Sequence, residues 1–234
     1  MPSRKALMPS RKALVIGLNY PAKNSLYKTC WDDTVLVENF LKDKYNFPPE
    51  NISIMKDDGD EPSSWPTAQK IIDALTNLCD QCRPGDTAFL YFAGLTRKDD
   101  DGKQGLVGSD NEIVSGDYMK TIANGFARKC RLTIGLDAYR ADKIFEDFFM
   151  ETFDRAKDPR GVVLFTSCQE DAYSDSIDIK LSRLIHKSGG GKVTNKELIE
   201  KVKKLVQELP EHMGHEQHVE MHCTSGLEDL QFLA

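Results

Sequence analysis

Residues 84–98 read PGDTAFLYFAGLTRK. The run TAFLYF is continuous, apolar and short, and it lies between a Pro-Gly turn and a small-residue loop, a pattern typical of a strand buried on both faces. Four further strands are predicted at residues 13–18 (ALVIGL), 51–55 (NISIM), 131–136 (RLTIGL) and 161–166 (GVVLFT). Side chains of different polarity alternate along residues 218–223, which predicts that the last strand lies at the edge of the sheet.

Segments with apolar residues at helical spacing separate these strands. One predicted helix begins after Thr29. The other predicted helices cover residues 66–83, 116–126, 142–153, 177–187 and 194–208. Thr29-x-x-Asp32 and Thr194-x-x-Glu197 resemble capping boxes. Alternating strands and helices predict an α/β fold with a mainly parallel sheet of about six strands and helices on both faces. Residues 94–116 predict a long polar loop with a small hairpin.

Composition narrows the class of protein. The chain has 234 residues and a net charge of −6, which argues against a nucleic-acid binder or an anionic-membrane binder. No apolar run approaches the roughly 18 residues of a transmembrane helix, and we expect a cytoplasmic protein.

MPSRKAL occurs twice in tandem at the start. We predict that residues 1–11 form a tail outside the fold and that residues 12–234 form a single domain.

Several motifs occur in an order that is similar to a known family. They are KALVIGLNY, LYKTCWDD, PGDTAFLYFAG, RLTIGLDAY, GVVLFTSCQEDAYS and the terminal EQHVEMHCTSGLEDLQFLA. Together they resemble the caspase-like peptidases, most closely the metacaspases and their bacterial relatives. The resemblance implies the caspase-hemoglobinase fold and places YFAG and LDAY on the strands that deliver the catalytic histidine and cysteine.

At both catalytic positions this chain departs from the family. Leu95 occupies the histidine position and Tyr139 the cysteine position. Cysteine proteolysis needs a thiolate nucleophile and an imidazole that transfers protons. Leucine carries no transferable proton, and a tyrosine phenol with a pKa of about 10 stays neutral at pH 7 without a neighbouring base. We therefore predict a pseudoprotease with no catalytic residues at these positions.

The resemblance also implies a substrate pocket. Metacaspases line a pocket for Arg or Lys with acidic residues, and the matching positions here are Cys30, Asp33 and Asp137. Two carboxylates would attract a guanidinium. The expected partner is a peptide or protein with basic residues, or an active caspase-like paralogue. A structural interpretation fits equally well: Asp33 serves the N-terminus of a helix, and Asp137 caps a turn.

An alternative prediction keeps catalysis. Cys168 follows the predicted strand at residues 161–166, at the same sheet edge as Tyr139. No histidine precedes His186, so a base would come from His186 or from the terminal group His212, His215, His218 and His222. The chain would then be an active caspase-like cysteine endopeptidase or hydrolase with a non-standard nucleophile.

Cofactor predictions rest on weaker patterns, and the leading expectation is that the protein has none. Asp99, Asp100 and Asp101 resemble the acidic loops that bind calcium in many metacaspases, although a solvated turn also explains them. His218, Glu220 and His222 are compatible with a zinc site or with solvated edge residues. Cys79 and Cys82 form a CxxC at a helix end, where we expect one buried and one exposed thiol rather than a redox or zinc site.

Overall fold

A computed structural model describes residues 9–23, 29–59, 61–138, 140–146, 148, 161–169, 193–208, 217–224 and 226–233. The predicted helix at residues 177–187, residues 1–8 of the predicted tail and most of the predicted helix at residues 142–153 lie outside these ranges. None of the helices within the described ranges is both long and apolar enough to cross a membrane.

The described residues form a six-stranded sheet in the order β2-β1-β3-β7-β8-β9. All neighbouring pairs are parallel except β8 and β9. The strands of this sheet are β1 (Arg11–Gly17), β2 (Ile52–Lys56), β3 (Thr87–Ala93), β7 (Arg131–Asp137), β8 (Gly161–Gln169) and β9 (Gln217–Cys223). The predicted α/β fold, with a mainly parallel sheet of about six strands, is confirmed.

A second, antiparallel sheet lies between β3 and the helix that follows it. It consists of β4 (Thr96–Lys98), β5 (Gln104–Val107) and β6 (Ile113–Val114), in that spatial order. The sequence predicted a loop with one small hairpin here, and the structure adds β6 to that hairpin.

Helices cover both faces of the large sheet. They are α1 (Cys30–Tyr45), α2 (Ala68–Gln81), α3 (Gly116–Ala127) and α4 (Asn195–Gln207). Alternate residues of the strands face two separate cores, because the side-chain period of a strand is two. Leu90 and Phe92 of β3 pack with α2 and α3, whereas Phe89 and Tyr91 pack with α1 and α4.

One of the two predicted capping boxes is confirmed and the other is wrong. At α4, the Thr194 hydroxyl accepts the Glu197 N–H (3.1 Å), and the Glu197 carboxylate accepts the Thr194 N–H (2.8 Å). Thr29 makes no such bond at α1, because its backbone (φ −116°, ψ −5°) lies in the helical rather than the extended region. The side-chain oxygen of Asn19 accepts the Cys30 N–H instead, at 3.0 Å.

The predicted helix at residues 142–153 is wrong in its described part. Residues Ala141–Phe145 form a 3-10 helix, and the backbone turns extended at Glu146 (φ −52°, ψ 134°). Phe145 and Phe148 are buried and meet edge to face, with ring centroids 5.6 Å apart. Burial of these aromatic rings determines the local backbone here, and it overrides the helical spacing.

Candidate functional site

The loops after β1, β3 and β7 lie at the carboxyl edge of the large sheet, where ligand sites of parallel sheets form. α1 packs closely on the end of β1, since a Cβ at Gly17 would lie only 2.3 Å from the Cys30 carbonyl oxygen. This close approach holds the first turn of α1, with Cys30 and Asp33, directly above the edge.

Leu95, the residue predicted to replace a catalytic histidine, follows β3 at this edge. Its side chain packs against the core that α2 and α3 cover. Its N–H donates to the Tyr20 hydroxyl (2.9 Å), and its carbonyl accepts the Val107 N–H (2.9 Å). The Tyr20 hydroxyl in turn donates to the Val107 carbonyl (2.8 Å). The position therefore holds an apolar side chain on a backbone bonded at both polar groups.

Asp57 fixes the loop that carries Tyr20. This buried carboxylate accepts the backbone N–H groups of Asn19 (2.9 Å) and Tyr20 (2.7 Å). It also accepts the indole N–H of Trp31 in α1, at 2.6 Å. The bonds hold Tyr20 in a left-handed conformation, with φ 53°. Sequence reasoning missed Asp57, although its place directly after β2, at the carboxyl edge, is a usable signal.

Asp137 ends β7 and binds its neighbours on both sides. Its carboxylate accepts the hydroxyls of Tyr91 in β3 (3.0 Å) and of Ser167 in β8 (2.7 Å). These bonds run to adjacent strands, not to the backbone of a turn. The sequence did not predict Tyr91 or Ser167 as partners, because the contact depends on the strand order β3-β7-β8.

The structure places the three predicted pocket residues on one side of the sheet edge. Cys30 shares a hydrophobic core with Tyr91, the residue that donates to Asp137. Asp33 lies one turn further along α1 and is 0% exposed. Asp137 is half-buried. Of the two carboxylates, Asp137 is therefore the one open to solvent in this conformation.

Several predicted site residues lie at or beyond the limits of the described structure. Tyr139 is outside the described residues, between the buried Ala138 and the left-handed Arg140 (φ 51°). Cys168 and His218 are described for their backbone alone, and the β8–β9 register pairs these two residues directly. His186, His212 and His215 lie outside the described ranges.

The acidic loop between β4 and β5 is hydrogen-bonded to itself. Oδ1 of Asp99 accepts the N–H groups of Asp101 (3.1 Å) and Lys103 (2.8 Å), a geometry that favours the solvated turn. Within the described ranges, no group of three or more His, Cys, Asp or Glu residues is placed to hold a metal ion. Calcium binding at Asp99, Asp100 and Asp101 stays a prediction. The exposed His222 ring meets the exposed Glu220 carboxylate at 3.0 Å on β9.

The CxxC lies at the amino edge of the sheet, away from these residues. Cys79 and Cys82 are both buried, so the prediction of one exposed thiol is wrong. Both thiols lie in the same hydrophobic core as a third thiol, Cys130. A hydrogen bond between Cys82 and Cys130 lowers the pKa of Cys82 and raises that of Cys130. Burial raises the pKa of Cys79. The three thiols are therefore part of the core beneath α2 and α3.

Comparison with known proteins identifies this arrangement at the level of a family. The family model of the metacaspase, peptidase C14 domain matches residues 11–146. Metacaspase-1 of Eremothecium gossypii is 25% identical over 192 residues, which cover 77% of this chain and 41% of that protein. Metacaspase-4 of Arabidopsis thaliana is 27% identical over 147 residues, which cover 59% of this chain and 35% of that protein. The chain thus spans less than half the length of these relatives.

A solved structure agrees at the level of the fold. The crystal structure of protein GSU0716 from Geobacter sulfurreducens superposes with a TM-score of 0.61, covering 95% of this chain and 98% of that one at 16% identity. The matched family region includes the positions of Cys30, Asp33, Leu95, Asp137 and Tyr139. This chain belongs to the metacaspase peptidase C14 domain family and has its caspase-like α/β fold.

Proposed function

We propose that this protein is a pseudoprotease of the metacaspase family that binds peptides containing Arg or Lys without cleaving them. The observation that carries the proposal is Leu95. At the family's histidine position, the side chain is apolar and packs against the core, and Tyr20 and Val107 bond the backbone on both sides. Leu95 therefore supplies no imidazole that would activate a nucleophile and protonate the leaving amine.

The size of the expected defect is large. Removing a nucleophile or a base from a comparable catalytic unit lowers kcat by about a million-fold. Tyr139, at the nucleophile position, adds a second defect, because a neutral phenol is a weak nucleophile. Preorganised backbone donors alone leave roughly 10³- to 10⁴-fold acceleration over water in such enzymes, which is far below useful proteolysis.

Peptide recognition draws support from Asp137 rather than from Asp33. Tyr91 and Ser167 orient the Asp137 carboxylate, one hydroxyl on each oxygen. Each carboxylate oxygen still has acceptor capacity for the N–H groups of a guanidinium. Asp33 is fully buried in this conformation, so a basic side chain would meet Asp137 first. An active caspase-like paralogue is the alternative partner, and an exposed arginine or lysine on it would use the same carboxylate.

The test compares binding of two labelled peptides that differ at one residue, arginine or its neutral analogue citrulline. Asp137→Asn keeps the shape and an acceptor for Ser167 but removes the charge. We expect it to weaken binding of the arginine peptide by about 10- to 100-fold. Binding of the citrulline peptide should not change. Asp43→Asn, on an exposed part of α1, removes the same charge elsewhere and should leave both affinities unaltered. Equal affinity of wild type and Asp137→Asn for the arginine peptide would reject the binding role.

A second function is supported by one specific observation. The register of β8 and β9 pairs Cys168 with His218, which gives a thiol and an imidazole on adjacent strands. A cysteine nucleophile needs a base within hydrogen-bond reach. Under this alternative, the chain hydrolyses a substrate with Cys168 in place of the lost cysteine. Both Cys168→Ala and His218→Gln would then abolish turnover, while Tyr139→Phe would leave it intact.

A further inference from the structure

The Asp137 carboxylate accepts hydrogen bonds from hydroxyl groups on two different strands. Tyr91 of β3 donates to Oδ2 (3.0 Å), and Ser167 of β8 donates to Oδ1 (2.7 Å). β7, which carries Asp137, lies between these two strands in the sheet. The two donors therefore approach the carboxylate from opposite sides, and each holds one of its oxygens.

Gly135 allows the Tyr91 phenol to reach Asp137. The register of β3 and β7 places Tyr91 opposite Gly135, and Asp137 lies two residues further along β7, on the same face of the sheet. A diagonal neighbour at this spacing is within reach of an aromatic side chain. Because Gly135 has no side chain, nothing from its own position stands between the Tyr91 ring and the carboxylate.

The two donors are more deeply buried than the carboxylate that they bind. Tyr91 is 1% exposed and Ser167 is 4% exposed, whereas Asp137 is half-buried. Side chains in a close-packed core stay in one rotamer. The terminal torsion of an unrestrained aspartate is broad and roughly two-fold. The hydroxyls therefore fix the plane of the Asp137 carboxylate before a ligand arrives.

We infer that Tyr91 and Ser167 are positioning residues that make the Asp137 site select arginine over lysine. The inference rests on the proposed peptide-binding function and names the side chain that this site prefers. A carboxylate offers about four acceptor sites, and the two hydroxyls use two of them. The other two, one on each oxygen, match the parallel pair of N–H donors of a guanidinium.

A lysine ammonium gains less from a carboxylate whose plane is fixed. Lysine is a compact point charge with rotatable donors, whereas arginine presents a rigid, planar fork. Orienting the carboxylate in advance lowers the entropy cost of binding, and a planar ligand benefits most because its geometry depends on that plane. We expect the wild type to bind an arginine peptide about tenfold more tightly than the same peptide with lysine.

Fluorescence-anisotropy titration of the full chain with three labelled peptides tests the inference. The peptides are identical except for one residue, which is arginine, lysine or citrulline. Tyr91→Phe and Ser167→Ala each remove one hydroxyl, and each should lower the ratio of arginine to lysine affinity from about tenfold to about threefold or less. Ser167→Thr keeps a hydroxyl and should retain more of the wild-type ratio than Ser167→Ala.

The matched controls remove the same groups elsewhere. Tyr118→Phe removes a phenol hydroxyl from α3, and Ser53→Ala removes an exposed hydroxyl from β2, at the edge of the sheet. Both should keep the wild-type ratio of arginine to lysine affinity. Thermal unfolding without peptide verifies that every variant folds.

Two different results would separate this inference from the function on which it rests. A wild-type ratio of arginine to lysine affinity near one, or a ratio that survives both Tyr91→Phe and Ser167→Ala, would overturn the inference and leave the peptide site in place. Equal wild-type affinity for the arginine and citrulline peptides would reject the peptide site itself, and the inference with it.

Discussion

At the residue scale, the hydroxyl of Tyr20 links the backbone of Leu95, which we propose stands at the family's histidine position, to the backbone of Val107. It accepts the Leu95 N–H and donates to the Val107 carbonyl, and the tyrosine is almost fully buried. The sequence predicted that Leu95 replaces the histidine but gave no sign of Tyr20, which lies 75 residues away along the chain. A contact of this kind depends on tertiary packing and leaves no local sequence pattern.

Tyr20→Phe should therefore destabilise the fold. The substitution leaves a partly buried N–H and a buried carbonyl without the tyrosine hydroxyl, at a cost of about 1–3 kcal/mol in the free energy of unfolding. Urea denaturation measures the change. Tyr118→Phe is the matched control, because its hydroxyl bonds Ile72 and Thr76 at a partly exposed site where water can replace it. Equal losses for the two variants would contradict the structural role assigned to Tyr20.

At the scale of single elements, the two helix starts form an internal comparison. Thr194 caps α4 with its side chain, and Thr29 does not cap α1. Thr194→Ala should cost about 1 kcal/mol of unfolding free energy, whereas Thr29→Ala should change it by less than about 0.5 kcal/mol. Chemical denaturation of the two variants gives both values. A loss at Thr29 as large as that at Thr194 would show that the helix-like backbone at Thr29 still supports a cap.

Asp86 joins the starts of β1 and β3, and its charge makes that link sensitive to pH. Burial alone would raise the pKa of Asp86, but bonds from the Ser10 N–H (2.7 Å), the Lys12 ammonium (3.1 Å) and the Arg83 N–H (3.0 Å) outweigh it and lower the pKa. A carboxyl whose pKa is lower in the folded state contributes stability above its unfolded pKa of about 3.9. That contribution is lost as pH falls through the folded pKa.

Asp86→Asn should accordingly reduce the free energy of unfolding at pH 7 by about 1–3 kcal/mol. The difference from wild type should begin to shrink below about pH 4, where the unfolded chain binds a proton that the folded carboxyl does not, and it should disappear only below the lowered pKa of the folded carboxyl. Denaturation at a series of pH values from 3 to 7 measures both effects. Asp43→Asn, at an exposed position of α1, provides the comparison and should follow the wild-type pH profile. A constant difference at all pH values would exclude the electrostatic explanation.

Some helices and strands could be predicted from the sequence, and others could not. Continuous apolar runs predicted β1, β3, β7 and β8, because strands buried on both faces carry little else. The spacing of apolar residues failed at residues 142–153, where burial of Phe145 and Phe148 determines the backbone. β4 to β6 were only partly predicted, since such short strands depend on their pairing rather than on a pattern of their own.

At the scale of the whole molecule, the sheet is continuous from β2 at one edge to β9 at the other. Its strands come from residues 11 to 223, so Arg11, which was predicted to lie in the tail, belongs to β1. On this basis we propose that residues 12–234, together with Arg11, form a single domain. At the candidate site, the family's motifs predict Leu95, Asp33 and Asp137, and their roles stay predictions. The sequence could not reveal the burial of Asp33 or the hydroxyl partners of Asp137. Both depend on how distant segments meet.

Neither the fold nor the family decides whether the chain cleaves peptides. We propose that Leu95 and Tyr139 prevent cleavage. Hydrolysis of fluorogenic peptides with Arg or Lys before the scissile bond, measured on the full chain with and without calcium, tests this most directly. We predict that the fluorescent product is released no faster than in buffer alone in either condition, and that wild type and Cys168→Ala do not differ. Reproducible turnover by the wild type that Cys168→Ala abolishes would contradict it and would establish an active hydrolase.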